Sequence, residues 1–178
     1  MPLQLRTGGL KVQASHLELP MGLVVDEVVI ESQGASYESS KNELKSEGRP
    51  TVTVLVSEAS VSSFLDKNSP DNLRGVSVTI ADGFVSVKAT IKILVEVKVV
   101  AACTLRLVDG KQLWADLDNL NIKAPLAINL VEQQLAKINP LVDLNELSVP
   151  ATITSVRAEG GAIELLGALD DSSWTFGS

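Results

Sequence analysis

The stretch Val85-Ser-Val-Lys-Ala-Thr-Ile-Lys-Ile-Leu-Val-Glu-Val-Lys-Val-Val-Ala-Ala-Cys-Thr-Leu-Arg-Leu107 carries an apolar residue at every odd position. Lys88, Lys92, Glu96, Lys98 and Arg106 fall on the even ones. Side chains of a β-strand point alternately to its two faces, so this pattern builds one apolar wall and one solvated face. It runs far beyond the usual strand of about 5–6 residues. Between Gly83 and Asp109 no Gly, Pro, Asn or Asp supplies a turn. A two-residue hairpin would switch the apolar parity from odd to even, and the parity never switches. Residues 84–108 are therefore one long bent strand or two strands joined by an odd-length loop near Ile93.

Outward from this wall the chain reads as further strands. Residues 10–19 and 23–31 alternate, each with a slip, around His16 and between Val25 and Val28, that suggests a bulge. Residues 33–50 are polar and turn-rich, with room for one short edge strand around Tyr37 or a mobile loop. Val52, Val54 and Val56 mark another strand. Asp82-Gly83 and Asp109-Gly110 sit between alternating segments and predict hairpins, because both central turn positions take positive φ. Glu159-Gly160-Gly161 joins two more strands, and the repeated strand–turn–strand order predicts an antiparallel meander. The tail 170–178 has no pattern and reads as frayed, with Trp174 and Phe176 tucked back at most.

Two helices interrupt the strands. Ser57 is placed to cap a short one, with Val61, Phe64 and Leu65 on one face. Pro125 suits the first position of a longer helix that Pro140 stops. Ile128, Val131, Leu135 and Ile138 form its apolar stripe, widened by Ala127 and Leu130, while Glu132, Gln133 and Lys137 face away. The expected fold is α+β: a long curved antiparallel sheet wrapped around one main amphipathic helix plus a short helix. One domain, 1–178, is expected, with its ordered core at about 10–169.

Composition narrows function. Of 178 residues, 45% are hydrophobic but only 3% aromatic, so the apolar mass is aliphatic and offers few stacking platforms for sugars or bases. A formal net charge of -7 argues against nucleic acid and keeps a chain of mean hydropathy +0.22 in solution. The one His, His16, is the histidine any Ser-His-Asp or Cys-His arrangement would have to use, and in a strand it reads as a surface or satisfied residue. No Gly-x-Ser-x-Gly elbow occurs, and one His with one Cys leaves no zinc constellation and no internal disulfide. Cys103 reads as a small buried hydrophobe. Asp116 and Asp118 offer oxygen ligands without the Gly and Glu of a calcium loop. Neither a catalytic group, a metal nor a cofactor is expected. The start shows no signal-peptide stretch, and no run approaches a membrane span. The chain reads as soluble as given, with extracytoplasmic or membrane-peripheral placement expected if a leader was trimmed and cytoplasmic placement otherwise.

What remains is the apolar wall and the helices to lay on it. They enclose either a dry core, as in a structural or protein-interaction module, or an aliphatic channel. Candidate channel residues are Val61, Phe64 and Leu65; Ile91, Ile93, Val95, Val97 and Val99 of the wall; and Ala127, Leu130, Val131 and Leu135. Ile93-Leu94-Val95, three consecutive apolar residues, marks a candidate entrance where an exposed Leu94 could touch a bilayer. Lys88, Lys92, Lys98 and Arg106 read as solvated outer-face residues.

Short motifs also resemble a known family. Residues 19–32, with Gly22 followed by Asp26-Glu-Val-Val-Ile, the Ser57-Glu-Ala to Phe64-Leu65 unit, Ala81-Asp-Gly-Phe-Val, Leu107-Val-Asp-Gly, and Asn139-Pro140 followed by Leu147-Ser-Val-Pro150 and Thr154 to Gly161 are similar to the LmeA-like phospholipid-binding family of bacteria. The likeness spans about residues 10–169. It implies a tubular lipid-binding (TULIP-like) fold without catalytic residues and a role in binding phospholipid or another acyl-chain lipid for transfer, sensing or presentation at a membrane surface. No leader or anchor of the kind common in that family is read in these residues, which leaves placement open as above.

Overall fold

In the computed structural model residues 4–122, 124–147, 150–170 and 173–175 are described. The wall is two strands, β8 (Phe84–Lys92) and β9 (Glu96–Val108), joined by the three-residue loop Ile93-Leu94-Val95. Lys92 pairs with Glu96 and Ile91 with Val97, so the odd-length loop keeps odd residues on one face throughout. None of the three loop residues takes a left-handed φ, which is why no Gly, Asn or Asp announces the turn.

Around this hairpin the sheet continues through β7 (Leu73–Ala81) on one side and β10 (Gln112–Leu120) and β11 (Val142–Asp143) on the other, in the order β11-β10-β9-β8-β7. It is a curled half-barrel. Asp82 and Gly83 (φ 54° and 84°) and Asp109 and Gly110 (φ 51° and 63°) make its two tight turns at one end, as the Asp-Gly pairs predict. Ile91 is completely buried, and Val85, Val99, Ala101 and Cys103 are buried, all odd.

A second sheet has the order β12-β13-β6-β3-β2, from β2 (Leu10–Glu18), β3 (Val24–Ser32), β6 (Thr51–Ser57), β12 (Ala151–Glu159) and β13 (Ala162–Leu169). The strands thus divide between sheets where the sequence pattern alone suggested one. The two five-stranded sheets meet end to edge. The Gly83 N–H donates to the Ala158 carbonyl (2.9 Å), and the Ile153 N–H donates to the Gly110 carbonyl (2.8 Å). The turn end of the curled sheet therefore abuts strand β12. One buried cluster spans the junction, with Val25, Val56, Ile153 and Leu165 from one sheet and Val78, Ile80, Val85 and Leu113 from the other.

The two slips read in β2 and β3 are one event. Ser15 pairs with Glu27 and Leu17 with Val25, but the His16–Asp26 pair between them is missing from the ladder, and His16 has φ 56°. Asp26 turns instead to the short helix α1 (Glu58–Asn68), accepting from the Ser57 N–H (2.6 Å) and the Ser60 hydroxyl (3.1 Å). Burial alone would raise its pKa, but these hydrogen bonds hold it below the usual carboxylate range. Ser57 caps α1 by accepting from the Ser60 N–H. From α1, Ser62 Oγ and Glu58 Oε1 accept from the Val78 and Ile80 N–H groups (3.1 and 2.7 Å), which fixes the helix along β7.

Residues 33–50 depart from expectation. They form a hairpin, β4 (Gly34–Glu38) and β5 (Glu43–Glu47), inside a third, four-stranded sheet ordered β1-β4-β5-β14. Strand β1 (Gln4–Thr7) meets β4 in the same register that joins β2 to β3: Gln4 faces Glu38, and Glu18 faces Val24. One long hairpin therefore bends near Gly8-Gly9 and leaves one sheet for another. The tail is not frayed throughout, because β14 (Ser173–Thr175) pairs with β5. The Trp174 side chain and Phe176 lie outside the described residues.

The main helix α2 (Pro125–Ile138) has the predicted bounds, with Pro at its start. It is fastened over the concave face of the curled sheet by polar contacts at its end. The Asn139 amide imitates a strand partner: Oδ1 accepts from the Ala115 N–H (3.0 Å), and Nδ2 donates to the Ala115 carbonyl (2.8 Å). Gln134 Nε2 donates to the Asn68 carbonyl at the end of α1 (2.7 Å). At the far junction, the Asp170 carboxylate accepts from Arg49 (2.5 Å), Lys111 (3.0 Å) and Thr152 (2.8 Å), and its pKa falls to about 2 as a result.

Candidate functional site: an aliphatic seam

Three apolar voids lie along the concave side of the molecule. The first, about 80 Å³, separates α2 from the curled sheet and is lined by Val87, Ala89, Ile91, Val99, Ala101 and Cys103 below and by Val131, Leu135 and Ile138 above. Ser69 and Gln134 are its polar residues. The second, about 70 Å³, shares Leu65, Val87, Cys103, Leu135 and Ile138 with the first and adds Val61, Phe64, Leu113 and Val142. The third, about 210 Å³, shares Val56, Val142 and Leu165 with the second and extends over Val25, Val28, Ile30, Val52 and Val54 of the other large sheet. The voids follow one another through shared walls.

Each wall has a local cause. The alternation of β8 and β9 turns their odd residues towards α2. The break at His16–Asp26 lets Leu17 and Val25 join Val28 and Ile30 in facing the third void. The cover of that void is the segment after α2, where the Leu141 N–H donates to the Leu113 carbonyl (2.8 Å) and the Leu144 N–H to the Lys111 carbonyl (2.9 Å). This puts Val142, Leu144 and Leu147 over it.

The structure does not bring all the candidate channel residues together. Val61, Phe64, Leu65, Ile91, Val99, Val131 and Leu135 line the first two voids. Ile93, Ala127 and Leu130 belong to a small cluster built on Ile91, Val99 and Ala127 at the loop end of the curled sheet, beyond the void lining. Val97 is half-buried opposite Ile91. Val95 differs: it lies in the loop, 66% exposed, and is no part of the wall, because the strand ends at Lys92 and resumes at Glu96. Leu94 is fully exposed.

Sequence reasoning missed the third void, the largest of the apolar three. Val52, Val54 and Val56 were a visible signal, and so were Val142, Leu144 and Leu147, but nothing placed them opposite each other.

Outside the seam the groups capable of chemistry show no catalytic arrangement among the described residues. Arg106 holds Asp116 through two hydrogen bonds (2.5 and 3.1 Å), which depress the carboxylate and raise the guanidinium. Burial pushes the Cys103 thiol up, towards the unreactive neutral form. His16 is exposed on β2. Among the described residues no three His, Cys, Asp or Glu side chains converge, and no helix is long and apolar enough to cross a membrane. No protein-family model, curated protein or solved structure matches this chain.

Proposed function

We propose that the seam binds phospholipid or another acyl-chain lipid without catalysis, for transfer, sensing or presentation at a membrane surface. The observation that carries this reading is the row of three voids with almost wholly aliphatic walls. Each is smaller than a typical ligand pocket, but end to end they reach the lower part of the ~300–1,000 Å³ range. An acyl chain gains about 0.8 kcal/mol per buried methylene, so it needs no polar partner along its length. Among the described residues, Ser69, Gln134 and Thr152 are the polar side chains that interrupt the first and third walls. The resemblance of the hairpin and Asn-Pro motifs to the LmeA-like family supports the same lipid class.

A dry structural or protein-interaction module is the second reading, and the small size of the first two voids favours it. Native mass spectrometry of the purified protein, with organic extraction of what it carries, separates the two. Lipid adducts, or uptake of phospholipid from vesicles by stripped protein, are expected. Protein that carries none and takes up none would overturn the proposal.

A further inference from the structure

The loop end of the curled sheet combines two features that the seam does not require. Leu94 is fully exposed, and Val95 and Leu126 are 66% and 65% exposed. They belong to one end of the molecule. Ile93 roots the loop in the cluster that holds Ala124 and Ala127, the residues on either side of the start of α2 where Leu126 projects.

The outer face just behind this tip is basic. Thr90 pairs with Arg74 on one side and Lys98 on the other, and Lys88 and Lys92 flank it along β8. Residues two apart on a strand are about 7 Å apart on the same face. Four cations therefore surround one threonine. Among the described residues none of them enters an ion pair. The neighbouring carboxylates are Glu96, opposite Lys92, and Asp71 in the turn before β7. In a chain of formal charge -7 this collar runs against the average.

We propose that this end docks on an anionic phospholipid bilayer, with Leu94, Val95 and Leu126 entering the acyl boundary and Lys92, Lys98, Lys88 and Arg74 lying among the phosphates. Charge complementarity selects an anionic surface. Three side chains fall far short of the ~20–30 residues a side of a stable protein interface, whereas insertion into lipid needs no matching shape. The proposal rests on the lipid-seam reading for its purpose, since Leu73, Ile91 and Val99 belong both to the tip cluster and to the first void.

The test is co-sedimentation with vesicles of phosphatidylcholine alone and of phosphatidylcholine mixed with phosphatidylglycerol. Binding is expected to the mixed vesicles, to weaken with salt, and to fall about tenfold or more in L94S/V95S, which loses two apolar anchors. Each charge removed in K92Q/K98Q costs roughly fivefold. All four positions are on the surface, and circular dichroism checks that the fold persists. Failure of the wild type to bind mixed vesicles, equal binding to both vesicle types, or unchanged binding by both variants would overturn the docking surface. The lipid content measured by native mass spectrometry is a separate readout. Lipid-loaded protein that ignores vesicles refutes docking and keeps the seam, whereas vesicle binding by protein that never takes up lipid refutes the seam and keeps the docking.

Discussion

Ala89→Leu tests whether the first void is real space and whether lipid uses it. Ala89 is half-buried, pairs with Val99 and faces α2 across a void of about 80 Å³. The substitution adds three carbons. At about the ~30 Å³ that a water occupies in the liquid, these need roughly 90 Å³, close to the space available. Filling a void with three methylene-sized groups is worth at most about 2.4 kcal/mol. With imperfect rotamer fit, about 1–2 kcal/mol is expected for lipid-free protein. At roughly 2–4 °C per kcal/mol for a chain of this length, Tm rises by about 2–8 °C. The same leucine takes the place of an acyl chain, so the variant should carry less lipid and show less added stability when lipid is supplied. Thermal unfolding of stripped protein and lipid counts by native mass spectrometry give the two numbers. A variant less stable than wild type by more than about 1 kcal/mol would mean that no space exists beside Ala89. One that is more stable yet carries as much lipid as wild type would refute a ligand in this void.

Three further outcomes follow from the contacts that hold the seam open. Asn139→Ala leaves the Ala115 N–H and carbonyl unpaired and should cost about 1–3 kcal/mol in urea unfolding. Gly110→Ala should cost a similar ~1–3 kcal/mol, because a Cβ at φ +63° is strained and would come within 3.2 Å of the Ile153 carbonyl and 2.8 Å of the Thr152 methyl. Asp170 titrates near pH 2 in the folded chain against an ordinary 3.8, so its contribution is complete above about pH 4 and lost as pH falls towards 2. The stability gap between wild type and Asp170→Asn should therefore be constant from pH 7 to about 4 and shrink below that, as read from urea midpoints at each pH.

Legibility in the sequence followed packing. The β8 and β9 faces, both helices, the cap of α1 and the Asp-Gly turns were readable because each carries a local signal: parity, a capping Ser, a leading Pro or paired positive φ. The hairpin β4–β5 was not readable as a pair of strands. Its segment Glu43-Leu-Lys-Ser-Glu has no apolar face, since that sheet is held by strand pairing and polar contacts such as Tyr37 Oη to Asn42 Oδ1 (2.7 Å). Parity alone could not separate one bent strand from two with a three-residue loop, because both preserve it. The division into sheets was hidden for a related reason: the bend near Gly8-Gly9 preserves the register it interrupts. Of the seam, the wall of the curled sheet was legible; the opposite wall depended on which strands sit under Val142, Leu144 and Leu147, and that is tertiary information.

The hydrogen bonds from α1 to β7 have a bearing on self-association. A strand at the margin of a sheet is a template for another chain unless its free N–H and carbonyl groups are taken. On β7 the Val78 and Ile80 donors go to Ser62 and Glu58, and the Ile80 carbonyl accepts from the Gly161 N–H (3.0 Å). On β12 the turn residues Gly83 and Gly110 do the same service. Among the described residues no element covers the long margin of β2, and there the left-handed His16, with Lys11 and Glu18 exposed, spoils a flat template. The protection of β7 is of a different kind, because it depends on two side chains of an eleven-residue helix. If α1 lifts, the Val78 and Ile80 N–H groups lose their partners on an aliphatic margin, so the species expected to aggregate first on partial unfolding is the one that has lost this helix.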